Sequence, residues 1–138
     1  MPVRTSESHG GDAVDKRDFY RRRIEANPSN SENARAMIQL IDRLDAGFPT
    51  TDVWLLTSHH HLILMDAPTY DGGDWLVTIQ GCFSGDYWMS YLIPAHQSPF
   101  PRPSEVHTTA QGIDQAVEFI KIAMRESGGW KDSPELWA

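Results

Sequence analysis

Segment 75–94, WLVTIQGCFSGDYWMSYLIP, constrains the fold of this chain more than any other stretch. Two runs rich in β-branched and aromatic residues flank Ser84-Gly85-Asp86-Tyr87, which has the composition of a tight turn. The segment therefore predicts a β-hairpin. Apolar residues occupy both alternating sets of positions, which is typical of strands at the centre of a sheet or of a sheet with one aromatic outer face.

Further strands and helices follow from hydrophobic periodicity. Ser29 followed by Glu32 has the spacing of a capping box and predicts the start of a helix. The predicted helices are DAVDKRDFYRRRIEA, SENARAMIQLIDRLDAGFP with a stripe of Ala34, Met37, Ile38, Ile41 and Leu44, and GIDQAVEFIKIAMRESGG. The other predicted strands are DVWLLT, HLILMD and a short VHTTA.

The order of these elements predicts an α+β fold. We expect a four- to five-stranded antiparallel meander with the N-terminal helices and one C-terminal helix packed on it. Residues 1–11 are rich in Ser, Gly and charge, and are expected to form a flexible N-terminal tail. Residues 12–138 are expected to form a single domain, since a chain of this length buries a core without disulfides or a structural metal.

The charge is unevenly distributed. The net charge is −7, residues 1–50 are balanced with eight basic and eight acidic side chains, and residues 51–138 carry four basic and eleven acidic ones. Such an acidic body disfavours nucleic acid and favours a basic protein partner. The single cysteine, the polar N-terminus and the lack of a long apolar run predict a cytoplasmic protein that does not enter a membrane.

Three consecutive histidines stand between two predicted strands. Neighbouring side chains of a strand point to opposite faces, so at most His59 and His61 share a face. A polar turn is the favoured interpretation, and no cofactor is predicted. The alternative is a metal or catalytic site formed by His59 or His61 with His96 or His107, the last two standing in His-x-Ser/Thr patterns.

Motifs that identify a reaction are missing from the sequence. It has no GxxxxGK[ST], GxGxxG, HExxH, CxxC or GxSxG pattern. Asp71 and Asp74 flank a Gly-Gly pair, which a turn between strands explains.

The aromatic content indicates a binding surface instead. Tyr and Trp are favoured where one protein contacts another, and acidic groups near them suit a basic partner. The predicted partner-binding residues are Trp75, Tyr87, Trp88 and Tyr91, with Asp71, Asp74 and Asp86 at the rim.

Taken together, these features predict a non-catalytic protein-binding module. Its small, acidic α+β form without catalytic motifs is similar to that of bacterial immunity proteins, which neutralise a cognate toxin; the similarity is one of form and involves no particular residue. An immunity or inhibitor role is therefore the expected function. The alternatives are a small histidine- or metal-dependent enzyme and a homo-oligomeric structural protein, and a homodimer is compatible with the first reading as well.

Overall fold

The computed structural model describes residues 3–5, 16–58, 61–67, 76–102, 104–131 and 133–137. Six strands form one sheet in the order β1 to β6, and every neighbouring pair from β2 to β6 is antiparallel. Three longer helices and a short C-terminal one accompany the sheet, so the α+β prediction is confirmed. The strands are β1 Val3–Thr5, β2 Val53–Ser58, β3 His61–Met65, β4 Val77–Phe83, β5 Asp86–Ile93 and β6 Ser104–Gln111. The helices are α1 Lys16–Ala26, α2 Glu32–Gly47, α3 Gly112–Glu126 and α4 Pro134–Trp137.

Three residues of the predicted N-terminal tail form strand β1, and the rest of the tail lies outside the described residues. Strand β1 pairs in parallel with β2 from Val3 opposite Val53 to Thr5 opposite Leu55. This pairing satisfies backbone groups along one edge of the sheet. A segment of three residues carries too little periodicity for its sequence to indicate a strand.

Helices α2 and α3 cover one face of the sheet, which we call the inner face. The buried stripe of α2 is Ala34, Met37, Leu40, Ile41 and Leu44, so Leu40 takes the central place predicted for Ile38, which is only partly buried. The buried stripe of α3 is Ala116, Val117, Ile120, Ala123 and Met124, and Ile113 is partly buried beside it. These stripes pack on inner-face residues of β2 to β6. They are Val53, Leu55, Leu62, Leu64, Val77, Ile79, Cys82, Tyr87, Met89 and Ala110.

The start of α2 differs from the predicted capping box. Ser29 lies in a turn of 3-10 helix, Pro28–Asn30, and α2 begins at Glu32 after Ser31. The Ser31 hydroxyl donates a hydrogen bond to the Pro28 carbonyl at 2.8 Å and accepts one from Arg35 Nε at 2.9 Å. The proline at the first position of the turn starts the 3-10 helix, which separates Ser29 from the helix it was expected to cap.

The β4–β5 hairpin is confirmed, but its turn lies one residue earlier than expected. Phe83 pairs with Asp86, and Ser84 and Gly85 form the turn with φ of 54° and 84°. Positive φ at both central residues is the backbone geometry that matches the twist of a two-residue hairpin. Glycine adopts it without strain, and Ser84 tolerates it at the tip.

The C-terminal segment is tied to the start of β2. The Trp130 indole is buried and donates a hydrogen bond from Nε1 to the Asp52 carbonyl at 3.0 Å. Glu135 accepts hydrogen bonds from the Thr51 hydroxyl at 2.6 Å and from the Thr50 amide at 2.8 Å. Burial raises the pKa of Glu135, but the hydrogen bonds from Thr51 and Thr50 outweigh it and leave the pKa below its ordinary value.

Candidate interaction surface

The outer face of the sheet, opposite the helices, has two unlike halves. On β2 and β3, Leu56, Ile63 and Met65 form a second buried apolar cluster, with Trp54 packed against it. On β5 and β6 the outward side chains of Trp88, Glu105, His107 and Thr109 are exposed. Among the described residues of this face, the exposed side chains therefore lie on the β5–β6 half and at the hairpin tip beside it.

A β-bulge in β4 decides which aromatic side chains reach that half. The register of β4 against β5 shifts between Ile79 and Gly81. One extra residue reverses the alternation of side chains beyond it. Cys82 consequently turns into the core, whereas Phe83, expected on the same side as Val77 and Ile79, is 56% exposed.

The bulge is held from the inner side by α2. The Asn33 carboxamide oxygen accepts a hydrogen bond from the Cys82 amide at 2.7 Å. A Cβ atom built on Gly81, whose φ is 153°, would lie 2.7 Å from that oxygen. Glycine is therefore required at this position, because both the backbone conformation and the close approach of Asn33 exclude a side chain.

Phe83 and Trp88 form an exposed aromatic pair at the hairpin tip. Their rings meet edge to face, with centroids 6.1 Å apart and an interplanar angle of 86°. This arrangement suits the ring quadrupoles, so each ring restrains the other without being buried. Trp88 is 48% exposed, and the half-buried Asp86 adjoins both residues across the turn. We call Phe83 and Trp88 the aromatic pair.

The described members of the predicted partner-binding set do not form one surface. Trp88 and Asp86 lie near the hairpin tip, Trp88 exposed and Asp86 half-buried. Tyr87 is only 3% exposed, and its hydroxyl donates to the Ala36 carbonyl at 3.0 Å, so its ring belongs to the core. Tyr91 is partly buried on the inner face and lines a cleft beside α3. Trp75, Asp71 and Asp74 lie outside the described residues.

The candidate histidine ligands that the structure describes lie in three different elements. His61 begins β3, His107 lies on β6 with its side chain exposed, and His96 belongs to a 3-10 turn after β5. Strands β3 and β6 are three spacings apart, which amounts to roughly 14 Å. His59 lies outside the described residues, and among those described no group of three His, Cys, Asp or Glu side chains comes together. The metal alternative gains no support from this placement.

The thiol of Cys82 is placed for packing. Its side chain is buried in the core. Desolvation raises the pKa of the thiol, and the nearby Glu32 and Asp86 carboxylates raise it further. A hydrogen bond with the Gly85 backbone lowers the pKa but does not outweigh these effects. A raised pKa keeps the sulfur protonated, whereas a nucleophilic cysteine requires the thiolate.

Phe83 is the surface residue that sequence reasoning missed. The predicted partner-binding residues did not include Phe83, and Gly81 was the signal that could have pointed to it. An isolated glycine in a strand pattern often marks a bulge, after which the two faces exchange.

Comparison with known proteins gives no significant match to a family model, to a curated protein or to a solved structure. Among the helices in the described ranges, none combines the length and the apolar character needed to cross a membrane.

Proposed function

We propose that this chain is a non-catalytic protein-binding module that docks a partner on the aromatic pair at the β4–β5 hairpin tip. The observation that carries the proposal is the exposure of Phe83 and Trp88 side by side on a hairpin. Large aromatic side chains dominate the binding energy of protein interfaces, and a preordered pair loses little conformational freedom on binding.

The setting of the pair supports this role. The tight turn at Ser84-Gly85 and the hydrogen bond that the Cys82 amide donates to Asn33 restrain the tip from two sides. A partner therefore meets a nearly rigid surface, which lowers the entropic cost of association.

Charge favours a basic partner. The net charge of the chain is −7, and residues 51–138 contribute that entire imbalance. Long-range attraction of this kind accelerates association and suppresses acidic competitors. An immunity or inhibitor role, in which an acidic protein occupies the basic site of a toxin or enzyme, is the specific form of the function that we propose.

The test compares three aromatic side chains in the complex with the natural partner, recovered from the native cells by native mass spectrometry. Trp88→Ala and Phe83→Ala should each weaken binding by about 2 kcal/mol or more, roughly thirtyfold in Kd. Phe100→Ala is the matched control, because Phe100 is 58% exposed but lies in the proline-rich loop beside Arg102.

Calorimetry or surface plasmon resonance measures the three affinities, with circular dichroism melts to verify folding. Equal effects at Phe83, Trp88 and Phe100, or none at the aromatic pair, would refute the proposed site. Association rates should also fall as salt rises, and rates independent of salt would refute the electrostatic part.

A further inference from the structure

Strand β6 forms an open edge of the sheet. It is the last strand in the order and runs unbroken through Ser104–Gln111, pairing with β5 without a register shift. Edge strands are commonly protected by proline, lysine, a bulge or shortness. The segment SEVHTTAQ has none of these, so its outer edge is suited to pairing with another strand.

The phase of the β5–β6 ladder shows which backbone groups face outward. The Gly112 amide donates to the Gly85 carbonyl at 3.1 Å, continuing the register that pairs Asp86 with Gln111. Hydrogen-bonded pairs alternate in an antiparallel ladder, so residues 104, 106, 108 and 110 bond to β5. Glu105, His107 and Thr109 then direct their amides and carbonyls away from the sheet, and within the described part of the chain these groups have no partner.

Gln111 is consistent with this phase. Its amide bonds to the side-chain oxygen of Gln115 at 2.7 Å rather than to β5. The outward-facing amide of Gln111, the last residue of β6, is thus already hydrogen-bonded within the chain. The outward groups of Glu105, His107 and Thr109 remain available along the middle of the strand.

An apolar strip runs beside this edge on the inner side. Val106 of β6 and Phe119 and Ile122 of α3 line a cleft of about 250 Å³ together with Tyr91 and Thr108. Ile122 is 41% exposed, although it belongs to an otherwise well-packed amphipathic helix. A partner that pairs with β6 would therefore also cover this strip.

A second copy of the chain complements both features. Antiparallel self-pairing with a two-fold axis at Val106 places Glu105 opposite His107 of the second copy, and His107 opposite its Glu105. Within one strand the same two side chains already lie 3.6 Å apart. The four side chains then form an alternating square in which each imidazole faces a carboxylate acceptor across the seam, and facing cross-strand pairs of complementary groups stabilise a sheet.

The other two-fold registers lack this complementarity. An axis at His107 sets the imidazole against its own copy, and an axis at Thr108 sets Glu105 opposite Gln111 and His107 opposite Thr109. The axis at Val106 also brings Val106 against itself on the inner face, where the two copies of α3 lie antiparallel on the same side of the joined sheet. Each Ile122 side chain then lies beside the new seam.

We propose that two copies of this chain form a homodimer by antiparallel pairing of β6 about a two-fold axis at Val106, giving one continuous twelve-stranded sheet. The inference concerns self-association and is independent of the proposed function. Each protomer keeps its aromatic pair on the outer face, with Trp88 one strand and Phe83 two strands away from the seam.

Cysteine cross-linking of the purified full chain tests the axis. Val106 occupies a non-hydrogen-bonded site, where facing Cα atoms lie about 4.5 Å apart, within the range of a disulfide. Val106→Cys should give a disulfide-linked dimer under mild oxidation. Thr108→Cys is the matched control on the same face. With the axis at Val106, Thr108 lies opposite Ser104 of the second copy, so the two introduced cysteines are four residues apart along the strands and should not form a disulfide.

Wild-type protein is the blank for both variants, since its Cys82 is buried. Cross-linking of Thr108→Cys without Val106→Cys would overturn the proposed axis. Sedimentation analysis measures the dimer directly, and Ile122→Lys should raise its dissociation constant by at least about tenfold while leaving the melting curve cooperative. A wild-type chain that stays monomeric at every concentration, with neither variant cross-linked, would overturn the dimer itself.

Discussion

Replacing Asn33 with alanine should destabilise the fold through a single lost hydrogen-bond acceptor. The Asn33 oxygen lies 2.7 Å from the Cys82 amide, immediately after the bulge that turns Phe83 outward. The same oxygen would lie 2.7 Å from a Cβ on Gly81, so the backbone of β4 packs directly on the carboxamide. Asn33→Ala therefore leaves the Cys82 amide partly buried and without its acceptor.

The expected loss is about 1–3 kcal/mol in the free energy of unfolding, because an unsatisfied donor carries its full desolvation cost. Domains of this size are stable by about 5–15 kcal/mol, so the change is readily measured. Urea unfolding followed by tryptophan fluorescence gives the midpoint and slope. The slope should stay constant, since the surface exposed on unfolding hardly changes.

Asn33→Asp is the matched variant, because it keeps an oxygen in the accepting position. It should lose less stability than Asn33→Ala, even though the new carboxylate lies near Glu32. Hydrogen exchange at the Cys82 amide should accelerate in the alanine variant and remain slow in the aspartate variant. A stability within about 0.5 kcal/mol of wild type for Asn33→Ala, or equal losses for both variants, would refute the reasoning.

Two further predictions concern Tyr87 and Glu135, which are not part of the aromatic pair. Tyr87→Phe removes the hydroxyl that donates to the Ala36 carbonyl, so the free energy of unfolding should fall by about 0.5–1.5 kcal/mol. Partner affinity should stay unchanged, because the ring is buried. Glu135 has a pKa below its ordinary 4.5 in the folded state, so its stabilising contribution is present above that pH and is lost as the pH falls through the folded pKa. The stability difference between wild type and Glu135→Gln, measured by urea unfolding, should therefore shrink between pH 7 and pH 3.

Each of these has a result that contradicts it. Weaker partner binding by Tyr87→Phe, with unchanged stability, would place the tyrosine at the interface rather than in the core. A wild-type advantage over Glu135→Gln that stays constant with pH would mean that the hydrogen bonds from Thr51 and Thr50 do not favour the carboxylate form.

The local pattern of the sequence determined the secondary structure to a large extent. The stripes of α2 and α3 recur with the helical period, and the apolar runs of β2 to β5 are short and bounded by turn residues, so each element could be recognised from its own residues. The strand of VHTTA was also recognised, although β6 extends beyond it to Ser104–Gln111. Trp88 and Asp86 could be assigned to a candidate surface for the same reason, because the hairpin that holds them is formed by residues close to them in sequence.

Other features required contacts between distant segments. Val3–Thr5 is a strand because β2 offers it an edge, and Ser29 fails as a helix cap because Pro28 begins a separate turn. Neither partner is visible in the periodicity of the residues concerned. Tyr87 was expected on a binding surface because it is a tyrosine in a sheet, yet the helices cover its face and Ala36 accepts its hydroxyl.

The aromatic pair shows most directly what the tertiary structure decides. Sequence alone established that aromatic residues stand on both sides of a tight turn, because composition and spacing suffice for a hairpin. Whether Phe83 faces outward beside Trp88 depends on one extra residue at Gly81, and that bulge is stabilised by Asn33, which is 49 residues away from Cys82 in sequence. A bulge reverses every side chain beyond it, so the exposure of Phe83 follows from a long-range hydrogen bond and not from its position in an alternating pattern.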